Sequence, residues 1–124
     1  MDKRTAVVRI ERFRELAPGG HAAVVQLIDL FLEQMREQMA RLRDAIDRNA
    51  IADVELIAHR TAGTSATCGA DLVAPPLLEL ERLAGHGQLA GAGALADAAT
   101  AAFARTEDFL LGYLVGFGDC QRHG

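Results

Sequence analysis

Ile51-Ala52-Asp53-Val54-Glu55-Leu56-Ile57-Ala58-His59-Arg60-Thr61-Ala62-Gly63-Thr64-Ser65-Ala66-Thr67-Cys68 contains no proline and places apolar or small residues at Ile51, Val54, Ala58, Thr61, Ser65 and Cys68. Steps that alternate between three and four residues put these positions on one stripe of an α-helix, whereas a strand would need a period of two. The same reading extends in both directions. Upstream, Asn49-Ala50 marks a tight turn, and a helix from about His21 to Arg48 aligns Val24, Ile28, Phe31, Met35, Leu42 and Ile46. Glu33, Arg36, Glu37, Arg41 and Arg43 remain for its other side. Ala17-Pro18-Gly19-Gly20 ends a shorter first helix carrying Ile10, Phe13 and Leu16.

Downstream, Gly69 precedes a fourth helix with Val73, Leu77, Leu80 and Leu83, and Pro75-Pro76 predict a kink or a late start there. Gly85-His86-Gly87 is the next break. The fifth helix, roughly Leu89 to Leu114, uses Leu95, Ala99, Ala102, Phe103, Thr106, Leu110, Tyr113 and Leu114, before a frayed tail from Gly116-Phe117-Gly118. Long helices on short connections must run antiparallel. The expected fold is all-α: one domain over residues 1–124, an up-down-up-down four-helix bundle with the short N-terminal helix laid across one end.

Composition agrees and narrows the function classes. Of 124 residues, 50% are hydrophobic, 5% are aromatic and none is Trp, which suits packed helices. A net charge of −4 and a pI near 5.5 argue against nucleic acid as a partner, since phosphate-backbone binding needs clustered Lys and Arg. Met1-Asp2-Lys3-Arg4 leads into an amphipathic segment, no run approaches bilayer-spanning length, and a cytoplasmic location is expected. Cys68 and Cys120 form no disulfide framework and read as reduced thiols. His21, His86 and His123 have no partner at metal-ligand spacing. His59 and Cys68 fall about 180° apart round an ideal helix, so no metal site is expected.

The face opposite the buried stripe of the third helix is unusual. With Ala58 and Thr61 inward, His59 points out, and its neighbours are Glu55, Ala62 and Gly63, with Ala66 a turn beyond. Helix surfaces ordinarily carry long charged side chains, and a mid-helix Gly costs about 0.5–1 kcal/mol relative to Ala. Close approach of another molecule to the imidazole gives a physical reason for Gly63. An imidazole, with a reference pKa of about 6.5, offers a neutral nitrogen nucleophile near pH 7. Glu55, one turn earlier, either hydrogen-bonds the far ring nitrogen or is a solvated carboxylate.

Ala58-His59-Arg60-Thr61-Ala62-Gly63-Thr64-Ser65-Ala66-Thr67-Cys68-Gly69-Ala70 resembles the signature of the histidine phosphotransfer family: Ala-His, two variable or apolar positions, Lys-Gly, two small residues, then a further Gly. Phe13 to Gly20 with Val24 to Leu32, Leu42 to Ala50, and Leu80-Glu81 are similar to the family's surrounding elements. The resemblance implies a bundle in which His59 accepts a phosphoryl group, on the ring nitrogen remote from the backbone, from an aspartate of one receiver domain and passes it to another. It implies docking over Ala62, Gly63 and Ala66, and no cofactor in the chain itself. The implied partners are receiver domains of response regulators or of a hybrid sensor kinase, approached by a monomer.

The departure lies at Ala62, where the family usually has a Lys able to reach the phosphoryl oxygens. Arg60 is a candidate substitute, although it stands about 100° round the helix from His59. Thr61 replaces a usual apolar residue and is placed to hydrogen-bond back to the preceding turn. Without an ATP-binding Gly-rich loop the chain does not read as an autonomous kinase. Two rival classes stay open: a phosphate-independent adaptor or inhibitor of similar fold, favoured by the absent Lys, and a structural bundle outside signalling.

Overall fold

The computed structural model describes the backbone of residues 7–123 and the side chains of residues 7–116. Its described elements are all helical: α1 (Ile10–Leu16), α2 (His21–Asp47), α3 (Ile51–Thr67), α4 (Ala74–Gly85) and α5 (Ala92–His123).

Local chemistry sets most of the boundaries. At the end of α2, Asn49 adopts φ 56° and the Ala50 N–H donates to the Ala45 carbonyl at 2.9 Å, a left-handed cap that an Asn tolerates. Pro75 and Pro76 fall in the first turn of α4, where a missing N–H leaves no intrahelical bond unmade. The double proline therefore gives a late start and not a kink. The expected end of α5 at Gly116 is corrected: its backbone stays helical to His123. Glycines weaken a helix by about 1 kcal/mol each without blocking it, as proline would. Cys120 and His123 lie outside the residues whose side chains are described.

Antiparallel packing follows from which residues meet. Arg36 pairs with Glu107 and Arg43 with Asp97, so α5 descends as α2 ascends. Ser65 lies beside Met35, and His59 meets Glu81, which sets α3 against α2 and α4 against α3 in the same sense. Each helix from α2 to α5 packs on its chain neighbours, and α5 closes back on α2. Among the described residues, no helix is long and apolar enough to cross a membrane.

The core runs through Ile28, Met35, Leu42, Val54, Leu77, Leu80 and Leu110, all buried. α1 covers the end of the bundle, with Phe13 meeting Phe31 edge-on at 5.5 Å. Leu16 corrects the expected pattern: it is 42% exposed, because so short a helix turns only Phe13 fully inward. Thr61 corrects another. Its hydroxyl is buried with no hydrogen-bond partner among the described residues, whereas Ser65 Oγ donates to the Thr61 carbonyl at 2.8 Å.

Gly69 joins α1 to the bundle. It ends α3 at φ +76°, and its carbonyl accepts the Arg9 N–H at 3.0 Å. A Cβ there would stand 2.9 Å from the Arg9 carbonyl oxygen, so both backbone conformation and close approach require glycine. Gly69→Ala is expected to lower unfolding stability by about 1–3 kcal/mol; an unchanged urea midpoint would show that the N-terminal segment does not bear on this turn.

Candidate functional site

His59 sits mid-way along α3 on the side turned toward α4, where Ala58 beneath it is fully buried. Its side chain is 69% exposed, and Nδ1 lies 2.8 Å from Oε2 of Glu81 on α4. A carboxylate only accepts, so Nδ1 carries the proton and donates to Glu81. In the neutral ring this fixes the tautomer and leaves the lone pair on Nε2, the nitrogen remote from the backbone. Glu81 is only 29% exposed, which limits the positions its carboxylate can take.

Glu81 is the residue the site analysis of the sequence missed. Glu55, the neighbour one turn back, reaches elsewhere: a Cβ added at Gly85 would lie 3.1 Å from Glu55 Oε2, so this carboxylate leans toward the end of α4. Glu55 still borders the same depression as His59, Leu56 and Glu81 but makes no hydrogen bond to His59 among the described residues. The Leu80-Glu81 pair was legible as sequence; its meeting with His59 depends on the register between two helices.

Ala62 corrects the expected docking face. It is 3% exposed, buried with the core rather than presented beside His59. Round an ideal helix it stands about 40° from inward Ala58 and about 60° from His59, and the close packing of α4 on α3 covers that intermediate direction. Gly63 and Ala66 are exposed as expected. A Cβ at Gly63 would meet nothing within 4 Å, and its backbone is not left-handed, so nothing inside the fold requires glycine there.

Arg60 borders a shallow depression together with His59, Gly63, Thr64, Thr67 and Cys68, and no acidic partner holds it among the described residues. Thr64 Oγ1 donates to the Arg60 carbonyl at 3.1 Å, tying down the backbone and leaving the guanidinium to solvent. Cys68 is buried, and that burial raises its thiol pKa, with Arg12 opposing, so the thiol is a poor nucleophile. No group of three or more His, Cys, Asp or Glu among the described residues could hold a metal.

A family model for the Hpt domain matches residues 26–109. The chain belongs to the Hpt domain family. This Hpt domain also resembles the crystal structure of histidine-containing phosphotransfer protein B from Pseudomonas aeruginosa PAO1, with a TM-score of 0.81 and 24% identity over 88% of this chain and 95% of that one. At that identity the likeness speaks for the fold: a helical bundle. No curated protein matches the chain. Family membership connects the Hpt domain to histidine phosphotransfer in phosphorelays.

The geometry makes a spectroscopic prediction. In ¹⁵N NMR at neutral pH, unphosphorylated His59 should populate the Nδ1–H tautomer, as should Glu81→Gln, whose amide oxygen still accepts. Glu81→Ala should move the population toward Nε2–H; an unchanged tautomer would mean that Glu81 does not set it.

Proposed function

We propose that this Hpt domain carries a phosphoryl group on Nε2 of His59 between the aspartates of receiver domains. The observation that supports it best is the exposed ring whose Nδ1 is engaged by Glu81, because that arrangement frees Nε2 for attack. The Nε2 lone pair attacks the phosphorus of an aspartyl phosphate, an N–P bond forms, the P–O bond to the aspartate breaks, and aspartate leaves as a carboxylate. The ring gains positive charge as it bonds phosphorus, and the Glu81 carboxylate on Nδ1–H offsets that charge where it develops. Onward transfer reverses the sequence with a second receiver. The protein supplies position and charge, which are the main requirements of phosphoryl transfer.

Arg60 and Gly63 have subordinate roles in this reading. Arg60 is the nearest unpaired cation in sequence and shares a depression with His59, so it stands in for the cation missing at position 62. Gly63 keeps the surface low where the donor must approach. Ala66 continues that low surface, and the domain meets receivers of response regulators or of a hybrid kinase as a cytoplasmic monomer.

The buried Ala62 favours a second reading, an adaptor that binds receivers without accepting phosphate. Incubation with a panel of phosphorylated receiver domains separates the two. The carrier reading expects an acid-labile label on the wild-type chain, none on His59→Gln, and transfer slowed about tenfold by Arg60→Ala; that is less than the loss typical of a desolvated oxyanion donor, because Arg60 is exposed. Receiver binding without labelling would leave the adaptor reading in place.

Gly63 provides a separate check. Gly63→Ala should raise stability by about 0.5–1 kcal/mol. Gly63→Arg should fold normally yet lose most receiver-driven transfer, and normal transfer by a folded Gly63→Arg would remove the docking role.

A further inference from the structure

His59 stands at a boundary between surfaces of opposite charge. On its α4 side the bordering ionisable residues are Glu55 and Glu81. On its other side, α2 and α3 enclose a groove of about 500 Å³ in which Arg41, Arg48 and Arg60 face Asp44 and Asp53. Both aspartates pair with Arg48, at 2.8 Å and 3.7 Å, so neither is the ion-pair partner of another arginine there. Arg9, Arg12, Arg36 and Arg43 pair with other acids, and Arg82 pairs with Glu79. Arg41 and Arg60 are exposed, form no ion pair among the described residues, and border the same groove. Gln34 and Gln38 add uncharged hydrogen-bonding groups on the α2 wall, and Leu56, 46% exposed, supplies an apolar contact on the α3 wall.

The charges that line the groove sum to +1, and two of its cations, Arg41 and Arg60, have no ion-pair partner among the described residues, so beside the apolar Leu56 they form a complementary surface for an acidic face. The chain as a whole carries −4, so an acidic partner is repelled in general and attracted here. The acidic opposite border, Glu55 and Glu81, rejects the partner if it is turned the other way.

We propose that the α2/α3 groove is the electrostatic half of the receiver-docking site: it takes carboxylates that the receiver displays beside its phosphorylated aspartate, and so fixes the orientation in which that aspartate meets His59. The inference rests on the carrier reading for its partner, but it concerns binding. Arg41 reads it out best. It borders the groove from α2 and is absent from the depressions that hold His59, so its effect belongs to docking and not to the chemistry at Nε2.

The test measures binding and transfer with the receiver domain that labels the wild-type chain fastest. A small phosphoramidate donor, which needs no docking, reports the chemistry alone. Arg41→Glu is expected to weaken receiver binding roughly tenfold at low ionic strength and to flatten its salt dependence. Labelling of His59 by phosphoramidate should be unchanged. Arg43→Glu, on the α5 side of α2, should bind as the wild type does, and this controls for net charge. Binding by Arg41→Glu within about twofold of wild type, with the same salt slope, would overturn the docking inference while leaving the carrier reading intact. A dimer of this chain that Arg41→Glu dissociates would assign the groove to a second copy and overturn it too. If no receiver binds or labels the wild-type chain, the carrier reading falls first and takes the inference with it.

Discussion

The close approach of α3 and α4 is the constraint on which the site depends. It is the most extensive helix pairing in the bundle, and the buried residues of the two helices include small ones, Ala58 and Ala62 on α3 and Ala74 and Ala84 on α4, beside Leu77 and Leu80. Small residues let two backbones come near, which brings a side chain as short as Glu81 within hydrogen-bonding distance of a histidine on the neighbouring helix. Ala62 is buried beside this pairing. The orientation of the imidazole thus depends on the register between the two helices.

Charge is distributed to match. A carboxylate lies beneath Nδ1, where under the proposed carrier role it would offset positive charge on a phosphorylated ring, while the guanidinium of Arg60, without an ion-pair partner among the described residues, lies on the opposite side, toward the open groove. The ring is oriented by Glu81 while it stays exposed. An exposed group held by one hydrogen bond can meet several partners in turn, which a buried nucleophile in a cleft cannot do.

Much of this was legible in the sequence because it is periodic or local. Val54, Ala58, Thr61 and Ser65 fall inward as their spacing predicts, His59 and Gly63 fall outward, and the glycine and proline breaks give the helix order. What failed depends on the positions of neighbouring helices. Ala62 points between core and solvent, and only the presence of α4 decides for burial. Neighbour rules within one helix nominated Glu55, but the partner of His59 is 22 residues away on another helix. The spacing of Thr61 suits a bond to its own backbone, yet its buried hydroxyl has no partner among the described residues. The pairing of Arg48 with both Asp44 and Asp53, which leaves Arg41 without an ion-pair partner among the described residues, is likewise a three-dimensional fact.

The central claim is that one nitrogen of one residue carries the phosphoryl group, and NMR of the ¹⁵N-labelled, phosphorylated chain tests it most directly. The account predicts phosphorus coupled to Nε2 of His59, with Nδ1 still protonated toward Glu81. Phosphorus on Nδ1, on another residue, or on no histidine after exposure to a competent phosphorylated receiver would contradict it.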